Sequence, residues 1–193
     1  MGGLNGHLIG HFLLLPLRLG RTEREAQLPS ARLMRSDAEK KVFAQTAVFR
    51  SRIWDVNQKS LYLQNNELVA GHLQGPDSAL EEKIYWIHNR AFDHEKFSII
   101  LSIQDGKRCL ASSSGAWPAL QLESVNITDL PKGGRKESSR FTFFSSNKDG
   151  AWRFESAAHP GWFLCTSSRA NEPLGLTQLP GPSHVVDFYF QPC

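Results

Sequence analysis

A chain of 193 residues has room for one ordinary domain plus an extension, and 40% hydrophobic with 21% charged residues excludes a disordered polymer. The formal net charge of +3 is unevenly placed: residues 1 to 50 hold eight Lys/Arg against four Asp/Glu, which leaves fourteen against fifteen beyond them. The folded part is therefore close to neutral, which excludes a nucleic-acid-binding domain, since that needs clustered cations to displace counterions from phosphates.

The chain opens with an apolar stretch from Leu8 to Leu17 that has the length of a signal-peptide hydrophobic region. No Lys or Arg precedes it and His11 interrupts it. It is too short for a membrane helix, which takes roughly 20 apolar residues, so no membrane insertion is expected. A secreted protein with an atypical leader, a leaderless protein and a chain with an alternative first exon all fit. His7 and His11 have the spacing of helical metal ligands, but nothing nearby completes a site, and no metal or cofactor is expected. From Arg18 to Lys41 the sequence is polar and mixed in charge, so residues 1–41 read as a flexible leader or pro-segment and residues 42–193 as the folded domain.

Beyond residue 42, short runs of Val, Ile, Leu, Phe, Trp and Tyr alternate with turn residues, and helical periodicity never lasts a full helix length. The class is all-β. The first strands are predicted at Phe49–Val56, Ser60–Leu63, Leu68–Leu73 and Lys83–Ile87. Phe97–Ile103, Arg108–Ser112, Ala119–Ser124 and Arg140–Phe144 follow. The last are Trp152–Ala157, Trp162–Thr166, Leu174–Leu179 and Val185–Gln191, making about twelve. Asn57-Gln58, Asn65-Asn66, Gln104-Asp105-Gly106, Lys148-Asp149-Gly150 and Pro160-Gly161 supply turn chemistry, because Asn, Asp and Gly tolerate positive φ.

Grouped in fours, the strands repeat at roughly 50 residues, with Ile53, Leu101 and Phe154 matching in the first strand and Ile84, Phe141 and Phe188 in the fourth. Three four-stranded pseudo-repeats point to a β-trefoil, a closed barrel without exposed edges; a β-sandwich is the competing arrangement.

Among the remaining polar residues, Glu155, Ser156 and His159 are close in sequence, yet adjacency does not provide the oriented relay that nucleophilic catalysis needs. Neither a phosphate-binding loop nor a dinucleotide fingerprint is present, and the protein is not expected to be an enzyme. Lys132, Arg135, Lys136 and Arg140 form a run broken by Glu137; a solvated loop is the default reading and a glycosaminoglycan-binding patch the alternative. Phe141, Phe143, Phe154, Trp162 and Phe163 are expected to pack in the core for the most part, whereas Trp117, between Ala116 and Pro118, is a candidate exposed contact.

The segment Phe49-Arg50-Ser51-Arg52-Ile53-Trp54-Asp55-Val56-Asn57-Gln58-Lys59 leads into Leu61-Tyr62-Leu63-Gln64-Asn65-Asn66-Glu67-Leu68-Val69-Ala70-Gly71. With Leu120-Gln121-Leu122-Glu123, Val125-Asn126-Ile127, the run from Phe154 to Cys165 and Phe188-Tyr189-Phe190, these motifs resemble the interleukin-1 family over residues 49 to 191. The likeness is greatest to its receptor-antagonist members. The resemblance implies a β-trefoil cytokine, secreted though with a cytoplasmic form open, monomeric, and acting in immune regulation and the inflammatory response. It implies binding to an interleukin-1-family receptor ectodomain and blockade of signalling through failure to recruit the accessory subunit. An agonist of the same family and a trefoil carbohydrate- or heparin-binding module are the alternatives.

Carried over by position, the resemblance implies receptor contacts at Trp54, Gln58, Gln74 and Tyr189, with Asp55 and Asn57 beside them and His72 where the antagonist has Tyr. Asp187 is the implied determinant of accessory-subunit recruitment: an acid at this place accompanies signalling members, although one antagonist branch also has Asp there. The resembled antagonist pairs the Cys matching Cys109 with one at the position of His159, and Ser112 replaces a further Cys, so Cys109 and Cys165 are expected to be reduced and buried. Asn126-Ile127-Thr128 is an N-glycosylation acceptor, which would make the secreted form a glycoprotein.

Overall fold

The computed structural model describes residues 46–92 and 96–193. The expected leader, with the Leu8–Leu17 run, His7 and His11, lies outside the described residues. Strand β1 spans Phe49–Asp55, β2 Ser60–Gln64, β3 Glu67–Gly71, β4 Ile84–His88, β5 Ser98–Ile103, β6 Arg108–Ser112 and β7 Leu120–Glu123. After a single-turn helix α1 at Gly134–Ser138 come β8 at Thr142–Lys148, β9 at Ala151–Ser156, β10 at Phe163–Ser167 and β11 at Glu172–Pro173. The final three are β12 at Gly175–Thr177, β13 at His184–Val185 and β14 at Phe188–Pro192.

Six of these strands form a closed ring. β1 pairs β4, β4 pairs β5, β5 pairs β8, β8 pairs β9, β9 pairs β14 and β14 returns to β1, all antiparallel. Three hairpins leave the ring, β2–β3, β6–β7 and β10–β12. This is the β-trefoil, and a ring in which each strand has two neighbours removes the sandwich from consideration.

The barrel interior is filled by alternate residues of the ring strands. Ile53, Ile84, Leu101, Phe154 and Phe188 meet in one buried cluster, as the pseudo-repeat predicts. Phe141 does not join them. It lies in a 3-10 turn, Ser139–Phe141, before β8 begins, and packs with Ile87, Ile100 and Ile127 in a second cluster; Phe143 fills the barrel place instead. The turn shifts the register by two residues, which alternation cannot reveal because it leaves the inward parity unchanged.

The twelve or so predicted strands appear as fourteen among the described residues. The Leu174–Leu179 run becomes β12 with β11 ahead of it, and Val185–Gln191 is divided at Val186-Asp187 into β13 and β14. Around the second cluster, buried Asn89 donates to Ser138 Oγ at 3.0 Å and Thr142 Oγ1 at 2.8 Å, tying α1 to the barrel.

Candidate receptor-binding surface

Strand β1 turns Ile53 inward and Arg52 and Trp54 outward, since neighbouring side chains on a strand point to opposite faces. Its partner β14 buries Phe188 and exposes Tyr189. The register sets Trp54 opposite Tyr189, and their rings meet at 5.8 Å between centroids, tilted by 40°. The Arg52 guanidinium also lies over the Trp54 ring, 5.3 Å from its centroid. Arg52 is fixed by Glu81, which accepts from its Nε at 3.0 Å and Nη2 at 3.1 Å and also receives Lys83 Nζ at 2.6 Å. Burial alone would raise the Glu81 carboxyl, but hydrogen bonds from Arg52 and Lys83 outweigh it and hold the group below its ordinary value. Arg52 and Tyr189 thus both contact Trp54, and the large rigid rings are partly open to solvent, as interface anchors require.

The remaining expected contacts occupy neighbouring segments. Gln58 is exposed on the turn between β1 and β2. Trp54 is in register with Ser60 of β2 and Ser60 with Gly71 of β3, so His72, the next residue, emerges two strands from Trp54. Both His72 and Gln74 are exposed on the way to the 3-10 turn Gly75–Leu80, which the strand pattern does not foresee. Asp55 departs from its expected place beside these contacts: it is fully buried, and its carboxylate serves the turn itself.

Asp187 lies between β13 and β14, and its carbonyl accepts from the amide of Val56 at 3.0 Å. Its carboxylate is bridged by Arg153 of β9, Nε to Oδ1 at 2.7 Å and Nη2 to Oδ2 at 3.1 Å. These bonds raise the Arg153 guanidinium above its ordinary value.

Sequence reasoning missed three of these residues. Arg52 could have been found from its place two residues before Trp54 on the same strand face. Lys59, buried at the turn after β1, and Arg153 gave no such signal, because Ser167 and Asp187, which they bond, lie far along the chain.

Other candidates resolve differently. Ser156 is buried with its hydroxyl 3.4 Å from that of Ser112, His159 directs Nε2 to the Ser113 carbonyl at 2.9 Å, and Glu155 is bound by Lys96 and the Gly161 amide. Ser156 and His159 are linked only through the His159 amide, which donates to the Ser156 hydroxyl at 3.3 Å, and the three side chains bond elsewhere and not to one another. In the basic run, Lys132 pairs with Asp129, Arg140 with Glu123, and Arg135 lies 4.7 Å over Phe92, so three of the four cations are engaged within the chain.

Phe143 and Phe154 are buried as expected, while Trp162 and Phe163 are only half-buried. Trp117 is 83% exposed, edge-on to Trp162 at 6.0 Å. Cys109 and Cys165 are free and buried and Cys193 is free and exposed. Asn126 is exposed, its Oδ1 accepting from the Thr128 amide at 3.0 Å and hydroxyl at 2.8 Å. No helix among the described residues is long and apolar enough to cross a membrane.

Comparison with known proteins adds likenesses in sequence and in structure. The family model described as Interleukin-1 / 18 matches residues 73–190. The interleukin-1 receptor antagonist proteins of Mus musculus and Homo sapiens are each 51% identical over 142 residues, covering 72% of this chain and 76% and 77% of theirs. The crystal structure of the chicken cytokine interleukin 1 beta superposes with a TM-score of 0.65 at 32% identity, covering 75% of this chain and 99% of that one. For the NMR structure of the pro-inflammatory cytokine interleukin-36alpha the TM-score is 0.62 at 28% identity, with 77% and 95% covered. The closed ring with its three hairpins, and 51% identity to those relatives, place the chain in the interleukin-1 family of cytokines.

Proposed function

We propose that the protein is a receptor antagonist: it occupies an interleukin-1-type receptor ectodomain as a monomer and blocks signalling because it does not recruit the accessory subunit. The observation that carries this reading is the 51% identity to relatives named interleukin-1 receptor antagonist protein. The face bearing Trp54, Gln58, His72, Gln74 and Tyr189 is the surface that engages the receptor. It is open to solvent, and its aromatic pair is prearranged by strand register, which lowers the ordering cost of binding.

Asp187 supports antagonism over agonism through its partner. A carboxylate already bridged at two points by Arg153 offers an accessory subunit a compensated charge, and recruiting it would require that bridge to open. The functional form is the domain beginning near Val42, released from the leader and secreted, with Asn126 carrying glycan when the chain passes through the secretory pathway.

The test adds purified protein to receptor-bearing cells, alone and together with an agonist. Dose-dependent inhibition with no signal of its own is the expected result; activation by the protein alone overturns antagonism in favour of the agonist reading. In the same assay Trp54→Ala and Tyr189→Ala should each lose about 2 kcal/mol of binding, roughly thirtyfold, as buried aromatic anchors do.

A further inference from the structure

The turn between β1 and β2 buries an ion pair in a place where solvent is close at hand. Lys59 is 1% exposed and Asp55 0%, and Lys59 Nζ lies 3.0 Å from Asp55 Oδ2. Oδ2 also accepts from the Thr166 hydroxyl at 2.6 Å, and Lys59 Nζ donates to the Ser167 carbonyl at 2.7 Å. The other oxygen, Oδ1, accepts the backbone amides of Asn57 and Lys59, both at 2.9 Å. Every residue of the turn is thereby tied, directly or through its neighbour, to β10 in the third pseudo-repeat. On the opposite side the Val56 amide is held by the Asp187 carbonyl.

At the tip of this clamped turn, Gln58 has φ of +66° and an exposed side chain. Glycine would adopt that conformation without steric cost. A strained non-glycine residue persists where its surroundings over-determine the backbone, and such residues gather at functional sites. A buried ion pair adds little net stability compared with apolar residues of the same volume.

We propose that Asp55 and Lys59 are positioning residues for receptor recognition: without touching the receptor, their buried network holds the turn so that Gln58 is presented beside Trp54. This rests on the receptor-binding reading above. Gln58 supplies the contact, and the network supplies its direction.

The experiment measures affinity of the full chain for a family receptor ectodomain by surface plasmon resonance, with folding followed by circular dichroism. The paired variant Asp55→Asn with Lys59→Met removes the charges while keeping the volume. It should remain folded and bind about tenfold more weakly, chiefly through faster dissociation. Gln58→Ala should weaken the wild type yet cost nothing further in the paired variant, because the side chain is no longer presented there. Gln58→Gly should raise the thermal midpoint while lowering affinity. If the paired variant does not fold, Thr166→Val removes a single hydrogen bond from the network and should show the same non-additivity with Gln58→Ala on a smaller scale.

A purely structural role predicts the reverse pattern, a lower thermal midpoint with Gln58→Ala costing the same factor in both backgrounds, and that result overturns the proposal. Wild-type affinity in the folded paired variant overturns it as well. Failure of the wild type to bind any family receptor overturns the receptor-binding reading itself, a result distinct from additivity in a protein that does bind.

Discussion

Burial pushes the Cys109 thiol up to about 12, helped by the nearby Glu123 charge, and the Cys165 thiol up to about 11 against a hydrogen bond from Gly175. A raised thiol resists ionisation while the chain is folded and ionises freely once it unfolds. Stability from this source is therefore intact below the ordinary value of 9.0 and declines as pH rises from there towards 11 to 12. Urea titrations between pH 8 and pH 11 should show the midpoint falling, and Cys109→Ala should flatten that fall. Alkylation of the native protein should label Cys193 quickly and the buried pair only after unfolding. The free state of Cys109 was legible through the resemblance, which implies a partner cysteine at the position that holds His159 here. The outward placement of Trp54 and Tyr189 was suggested by the resemblance alone, since the residue pattern by itself favoured packing under the barrel. Lys59 was not legible: a lysine in a polar turn reads as solvated, and what buries it is β10, more than a hundred residues along the chain.

At the scale of elements, turn chemistry was read more reliably than strand limits. Gln104, Asp105 and Gly106 all take positive φ between β5 and β6, and Asp149 and Gly150 do so between β8 and β9. Gly106 carries a second constraint, because a Cβ there would come within 2.7 Å of Ile127 Cγ2, while at Gly150 it would meet nothing within 4 Å. Gly106→Ala should accordingly cost about 2 to 4 kcal/mol and Gly150→Ala about 1 kcal/mol, the difference being the collision with a buried side chain. Denaturant midpoints at equal slope provide the comparison, and equal losses would show that only backbone conformation matters. The strand limits failed where the backbone departs from a ladder without altering hydrophobicity. Val186 is buried on an apolar run, yet Val186-Asp187 interrupts the pairing so that Asp187 can face Arg153.

For the molecule as a whole, the strand count and period suggested a trefoil but could not by themselves exclude a sandwich. The ring of six pairings decides the matter, and its critical member joins the first strand to the last, a contact that local pattern cannot encode. Because the barrel has no free edge, association through strand addition has no template there. Sedimentation equilibrium should give a single species near 21.7 kDa over a wide concentration range. A concentration-dependent dimer would point instead to the exposed aromatic side chains, such as Phe49, Phe97 and Trp117, as a self-association surface.

The closure of β14 onto β1 also makes the aromatic pair a property of the closed ring and not of either strand alone. Trp54 lies on β1 and its neighbour Tyr189 on β14, more than a hundred residues apart, so a chain lacking β14 displays half of the pair. If this pair engages the receptor as proposed, recognition requires the closed barrel, and a fragment ending before Phe188 should fail to compete in the receptor assay.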